Sequence, residues 1–191
     1  MLRFPDIPNG EIARRHLKDM PGWFCKLKID GWRCLVHRSS NAITYWSKLL
    51  LPLDVVKEIR EPFEDAICKA FGPEFVLDCE LTGNRRAGDA KTIVALEALN
   101  VPLLGIKDKT PAYQRWEICQ KKIPNYTVPA TLANFEAFFD RHKSNPLAEG
   151  VVLMKLDAMY IGRCYTPAKN SGIIKCKWRA GQAGTTVKEN A

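Results

Sequence analysis

What the sequence lacks narrows its class first. No stretch approaches the roughly 18 consecutive apolar residues of a membrane-crossing helix, so no span is expected. The opening MLRFPDIPNGEIARRHLKDM carries acidic residues and no long apolar run, and does not read as a secretory signal. Seven Cys is an odd number at irregular spacing, which argues against a disulfide framework and for reduced, cytosolic thiols. Internal repeats and low-complexity linkers are missing too. Acidic residues are the minority charge, 21 against 29 Lys plus Arg, giving a formal net charge of +8. That excess permits a polyanionic partner without requiring one. What is present is a foldable chain of 191 residues, 46% apolar and 9% aromatic, suited to one medium domain or to a main domain with a small appendage.

Strand signals dominate the pattern. Residues 23–29 (WFCKLKI) read as a strand, Asp30-Gly31 as a φ > 0 hairpin turn, and Trp32 to Arg38 as the returning strand. Residues 42–46 add a third. Residues 54–70 have helical spacing interrupted by Pro62, which either kinks the helix or starts a second one. Residues 75–81 (FVLDCEL) alternate, with Asp78 and Glu80 on one face of an otherwise apolar strand. Such carboxylates need solvent or a ligand. Residues 83–91 read as a loop, and 92–99 fit a strand or a short helix. Helices are expected near 112–121 and 132–142, the second capped by Thr131. Strands at 149–156 and 173–178 flank a turn-rich loop containing Gly162, Arg163, Pro167 and Gly172. The fold class that follows is α+β with mostly antiparallel strands.

The charged residues on these strands suggest a site. Lys28, Asp30 and Arg33 bracket a tight turn, Glu80 and Glu149 stand on or before apolar strands, and Lys175 and Lys177 share a strand face. Lysines neutralise phosphates as point charges and Arg grips them bidentately. Carboxylates hold magnesium. A lysine is itself a nucleophile once its ammonium loses a proton. The set therefore suits a nucleoside triphosphate with a divalent metal. Cys34 and His37 have suggestive spacing for zinc, but no second ligand pair lies near them. Trp32, Trp46 and Trp178 read as packing residues.

The run Lys28-Ile29-Asp30-Gly31-Trp32-Arg33 resembles the signature of ATP-dependent DNA ligases and their relatives, the RNA ligases and mRNA capping enzymes. Leu77-Asp78-Cys79-Glu80-Leu81, Glu149-Gly150-Val151-Val152, Tyr160-Ile161-Gly162-Arg163 and Ile174-Lys175-Cys176-Lys177 resemble further motifs of that family, in its order. The resemblance covers about residues 20 to 180. It implies a nucleotidyltransferase domain: two largely antiparallel sheets with flanking helices around an ATP cleft. It also implies that Lys28 attacks the ATP α-phosphate to form lysyl-AMP. The AMP then passes to a 5′-phosphate at a DNA nick, which the 3′-hydroxyl seals. Lys28, Asp30, Arg33, Glu80, Glu149, Lys175 and Lys177 would be catalytic. ATP would meet Lys26, Leu27, Lys28, Arg33, Ser47, Lys48, Glu80, Leu96, Val152, Lys175 and Lys177. Glu80 and Glu149 would hold Mg2+ or Mn2+. The implied partner is nicked duplex DNA, with RNA as the alternative. The implied setting is a monomer in the cytoplasm or nucleoid, or the equivalent host compartment for a virus.

Departures from the pattern mark where this chain differs. Ser47-Lys48 stands where the family has Arg after Ser or Thr, so a cation remains without its planar fork. Leu96 takes the position of an aromatic that stacks on adenine, with Glu97 matching the acidic residue beside it. Met154 occupies the position of a motif lysine, and Lys155, one residue on, alternates to the opposite face unless a bulge re-aims it. Only 14 residues follow Lys177, so residues 1–191 are expected to be a single adenylation domain without the oligonucleotide-binding barrel of DNA ligases. Two other readings stay open: a non-catalytic nucleic-acid-binding relative, and a capping guanylyltransferase that would use GTP.

Overall fold

Asp30 and Gly31 do not close a hairpin; they turn the chain from one sheet into another. In the computed structural model, which describes residues 6–7, 17–40, 42–83, 90–100, 107–160 and 172–177, the strand before this corner is β2 (Trp23–Ile29) and the strand after it is β3 (Gly31–Ser39). The two never pair. The remaining elements, in chain order, are β1 (Asp6–Ile7), β4 (Ala42–Ser47), α1 (Lys57–Ala70), β5 (Phe75–Gly83), β6 (Ala90–Leu99), α2 (Ala112–Lys122), β7 (Ala130–Thr131), α3 (Phe135–His142), β8 (Ala148–Lys155) and β9 (Ile173–Lys177). A first sheet has the order β1-β9-β8-β2-β7 and a second the order β4-β3-β5-β6. Among the described residues every pairing is antiparallel except β1 with β9. The expected α+β architecture of two largely antiparallel sheets with flanking helices is therefore the observed one.

The corner also corrects the reason for its glycine. Gly31 is not among the positive-φ residues. A side-chain carbon there would instead collide with the Leu81 carbonyl oxygen of β5. Glycine is needed because two backbones approach closely, not because the turn is left-handed.

Alternation assigns the faces. In the first sheet, Leu27, Ile29, Val151, Leu153 and Cys176 join a core with Phe135, Phe138 and Phe139 of α3. In the second, Cys34, Val36, Leu77, Cys79 and Ile93 pack with Phe63 and Ile67 of α1 and Cys119 of α2. The six described cysteines are free thiols, five of them buried. α1 begins three residues later than expected and runs unbroken through Pro62, whose missing N–H removes one ladder bond without splitting the helix. The ambiguous segment 92–99 is strand, within β6. The expected strand end at Trp178, the loop through Gly162, Arg163 and Pro167, and most of residues 83–91 lie outside the described residues.

The cap of α3 comes from far along the chain. Thr131 does not supply it: its hydroxyl bonds locally, to the Ala133 backbone. Asn134, in left-handed conformation, precedes the helix without a side-chain cap bond. The Asp19 carboxylate instead accepts from the Asn134 and Phe135 N–H groups, both at 2.9 Å. These donors are helix-terminal groups with no partner inside the helix. The bonds, that from Phe135 first, hold the Asp19 carboxyl below the usual carboxylate range. A depressed folded-state pKa gives stability above the unfolded value of 3.8 and loses it as pH falls. Asp19→Ala is expected to lower the melting temperature at pH 7 and to matter little near pH 2. An equal loss at both values, by thermal melts, would count against the cap.

Candidate active site

Strand register sets out the cations. Lys28 on β2 and Lys177 on β9 flank Gly150 of β8 in one row across the first sheet. Lys26 and Lys175 flank Val152 in the next row. All four lysines point to the face turned toward the second sheet, opposite to Leu27 and Cys176. Flanking strands two apart lie roughly 10 Å from each other, too far for Lys28 and Lys177 to meet directly. Glu149 joins them. Pairing steps from Lys28↔Gly150 to Ile29↔Ala148, which leaves Glu149 as the extra residue of a bulge. Its Oε1 contacts Lys28 Nζ and its Oε2 lies 3.0 Å from Lys177 Nζ. A side-chain carbon at Gly150 would collide with the Cys176 carbonyl, so glycine lets β9 close on this row.

The second sheet supplies the facing wall. Arg33 pairs across β3 and β5 with Glu80, and Glu80 in turn with Val94 of β6. Arg33 grips Asp78 with two N–H groups, Nε to Oδ1 at 2.8 Å and Nη2 to Oδ2. Glu80 is partly buried and its carboxyl is pushed up to about 7. Burial is the main cause and the Asp78 charge adds to it; Lys28, Arg33 and Lys175 oppose both. Those opposing charges belong to both sheets, so Glu80 senses lysines of the first sheet as well as its own neighbour Arg33. Its raised pKa favours the folded state at low pH, an advantage lost as pH rises from 4.5 to about 7. Glu80→Gln is expected to flatten the fall in stability over that window. The carboxyl carbon of Glu80 should titrate near neutrality by NMR; a midpoint near 4.5 would refute the environment described here.

The other expected positions are placed as follows. Asp30 is exposed at the corner, its N–H bonded to Leu147 O at 3.0 Å. Lys26 is buried, with Nζ 2.7 Å from Glu97 Oε1. Leu27 is in the α3-side core, turned away from the lysine face. The Ser47 hydroxyl accepts from the Leu49 and Leu51 N–H groups, both at 3.2 Å, and so holds the loop after β4. Lys48 is exposed on that loop. Leu96 is the extra residue of a second bulge, where Asp78 pairs with Glu97 but Cys79 with Ala95. The bulge turns both Leu96 and Glu97 inward, and Leu96 packs against the first sheet's core. Val152 is half-buried on the lysine face. Lys155 lies outside this group, over the Trp23 ring at 5.9 Å. Arg163 and Trp178 lie outside the described residues.

Three residues around the site were not anticipated in their roles. Arg115 of α2 is fully buried and bonds Glu97 Oε2 at 2.8 Å, which completes a Lys26–Glu97–Arg115 triad. Asp78 anchors Arg33. The Tyr160 hydroxyl accepts from Arg33 Nη2 at 3.1 Å. Arg115 sits on a helix beside Trp116 and looks like a surface residue by local pattern, so no sequence signal marks it. The face shared by Asp78 and Glu80 carried a signal, that its carboxylates need solvent or a ligand, and Asp78 is met by Arg33 instead.

Comparison with solved structures gives the same fold, the α+β arrangement of two largely antiparallel sheets with flanking helices seen in nucleotidyltransferase domains of ligases. Pmar-Lig_PreS3 matches with a TM-score of 0.60 and 17% identity, over 88% of this chain and 45% of that one. A mycobacterial DNA ligase D complexed with ATP matches with a TM-score of 0.56 and 18% identity, over 81% and 54%. An archaeal ATP-dependent RNA ligase matches with a TM-score of 0.50 and 10% identity, over 93% and 47%. The chain thus spans about half the length of these proteins. No family model matches the sequence, and no curated protein does.

Proposed function

We propose that this chain is the nucleotidyltransferase unit of an ATP-dependent polynucleotide ligase, with Lys28 as its nucleophile. The observation that carries the reading is the contact of one carboxylate, Glu149, with both Lys28 and Lys177. It puts a candidate nucleophile, a proton acceptor and a phosphate-binding cation within one side chain's reach. Lys175 and Lys177 suit the α-phosphate, and the apolar Val152 and Leu96 suit the base. The donor set fits a triphosphate, because three lysines outnumber the two carboxylates beside them. It also fits a divalent cation carried by the phosphates: Glu149 and Glu80 are too few for an all-protein cage but enough to add to phosphate oxygens. Among the described residues no cluster of three His, Cys, Asp or Glu forms a metal site by itself. A bound cation would screen charge on the phosphates and the departing pyrophosphate.

Lys28 Nζ, freed of its extra proton, attacks the α-phosphorus. A P–N bond forms, the P–O bond to pyrophosphate breaks, and pyrophosphate takes the electron pair. Glu149, in contact with Nζ, is placed to accept the proton. An oxygen of a 5′-phosphate end then attacks the same phosphorus; a P–O bond forms, the P–N bond breaks and the Lys28 amine leaves, regaining its proton. A 3′-hydroxyl, giving up its proton, finally attacks the 5′-phosphate, and AMP leaves with the electron pair as the strands are joined. Asp30 and Arg33, at the corner beside Lys28, are assigned to the substrate end.

Intact mass after incubation with ATP and magnesium tests the reading, since one AMP should be gained. A GMP adduct formed only with GTP would favour the capping alternative, and no adduct would favour the binding-only relative. Sealing of nicked DNA and nicked RNA, assayed side by side, decides the substrate, and DNA is proposed. Glu149→Ala is expected to slow adduct formation at least about tenfold, or ~1.4 kcal/mol of transition-state stabilisation. An unchanged single-turnover rate would remove Glu149 from the chemistry.

A further inference from the structure

Arg33 is held unusually tightly for a side chain so open to solvent. Its side chain is 43% exposed, yet it sits on an Asp78 carboxylate that is 4% exposed. Nε and Nη2 both donate to Asp78, and Nη2 donates again to the Tyr160 hydroxyl at 3.1 Å. None of these bonds uses Nη1. The Tyr160 ring lies near two guanidinium groups, with Arg33 Cζ 5.4 Å and Arg115 Cζ 5.8 Å from its centroid. Its backbone is fixed as well: Tyr160 and Asp108 exchange N–H···O bonds, both 2.9 Å. The Asp108 carboxylate in turn accepts from the Asn100 and Thr110 N–H groups at 2.7 and 2.8 Å. Arg115 reaches the same region, donating to the Thr110 and Ala158 carbonyls. Tyr160, whose hydroxyl meets Arg33, is therefore held through Asp108 to the end of β6 and lies beside a segment that Arg115 ties to α2.

We infer that Tyr160, with Asp78, is a positioning residue that orients Arg33 so that its Nη1 edge meets a phosphate oxygen of the nucleic-acid end. The inference rests on the proposed nucleotidyl transfer for the identity of that ligand. The charges support the assignment. Asp78 neutralises Arg33, and Glu80 stands next to it in the same row, so this wall attracts a triphosphate less than the lysine wall does. A neutralised but rigid guanidinium is suited to a single oxyanion, where the direction of the bond matters more than net charge. An unbraced Arg would have to lose rotamer freedom each time it engaged the ligand. The bracing meets that cost in advance.

The test uses the full chain and a double-mutant cycle. Tyr160→Phe keeps the ring near both guanidinium groups and deletes one hydroxyl. It is expected to raise KM for a pre-adenylylated nick about three- to tenfold. Lysyl-AMP formation from ATP should stay within twofold of the parent. In an Arg33→Ala background the same change should have no further effect. Additive losses, or a wild-type KM in Tyr160→Phe, would overturn the inference. A second measurement does not depend on turnover. The Arg33 Nε–H resonance should be sharp and protected in the parent, lose protection in Asp78→Asn, and shift in Tyr160→Phe. If the parent takes up no nucleotide, the proposed function fails. The NMR signature then decides the bracing alone: protection lost in Asp78→Asn with a shifted resonance in Tyr160→Phe supports it, and a resonance unchanged by either substitution refutes it.

Discussion

Lys28→Ala is expected to abolish covalent nucleotide uptake, the largest functional effect of any single change in this chain. Lys177 meets the same carboxylate through its other oxygen, from β9 on the far side of β8. The loss should reach the limit of detection, at least about 10³-fold or ~4 kcal/mol. Folding should survive, because Glu149 keeps Lys177 as a partner at 3.0 Å. Lys28→Arg should be equally inactive, since a guanidinium keeps its proton and is no nucleophile. Mass spectrometry after incubation with ATP and magnesium reads the outcome. An adduct on either variant would place the nucleophile elsewhere.

The largest stability effect is expected at Glu97. Its carboxylate lies between Lys26 at 2.7 Å and Arg115 at 2.8 Å, and all three side chains are at most 5% exposed. Glu97→Ala strands two buried cations, which costs about 3–5 kcal/mol, a large share of the about 5–15 kcal/mol that holds a typical domain together. Denaturant unfolding should show the loss as a lower midpoint at an unchanged slope. Replacing all three residues by apolar ones should cost far less, because no charge is left without a partner. The pH dependence has a fixed sign. Burial pushes the Glu97 carboxyl up, but Lys26 and then Arg115 outweigh it and hold the group below its ordinary 4.5. Its contribution is therefore complete above that value and fades as pH falls further. A Glu97→Ala protein as stable as the parent at pH 7 would show that the triad contributes nothing.

How much of this was legible in the sequence depended on whether the information was local. Alternation placed β2, β5, β8 and β9, because a two-residue period is written into the chain itself. The same alternation put Lys175 and Lys177 on one face, and Asp78 with Glu80 on another. It could not show that β2 and β3 belong to different sheets. Asp30-Gly31 has the composition of a hairpin turn, and only the Leu81 carbonyl, fifty residues away, reveals why glycine stands there. Nor could it show the cap on α3, since Asp19 lies 115 residues before Asn134. Thr131 satisfied the local rule and lost to a distant carboxylate. Bulges were the other blind spot. Each adds one residue to one strand, so a strict period misplaces everything beyond it. The bulge at Leu96 turns Glu97 inward to Lys26, and the bulge at Glu149 lets its carboxylate bridge two strands. By contrast, Lys155 followed plain alternation, and no bulge at its end of β8 re-aimed it.

The corner between β2 and β3 also limits what can change in this chain over time. Most connections between strands tolerate insertions, because a longer loop costs little closure entropy. Here a single residue, Asp30, links two strands of different sheets, and each strand carries one member of the proposed site, Lys28 before the link and Arg33 after it. An added residue would have to be absorbed as a one-step slip of one strand, and such a slip reverses every side chain on it. Lys28 would then exchange its place with Leu27, or Arg33 with Trp32. In-frame length variation at positions 30 and 31 is thus expected to act like deleting a residue of the proposed site. A one-residue insertion at this corner is therefore expected to cost more than the same insertion in a loop elsewhere.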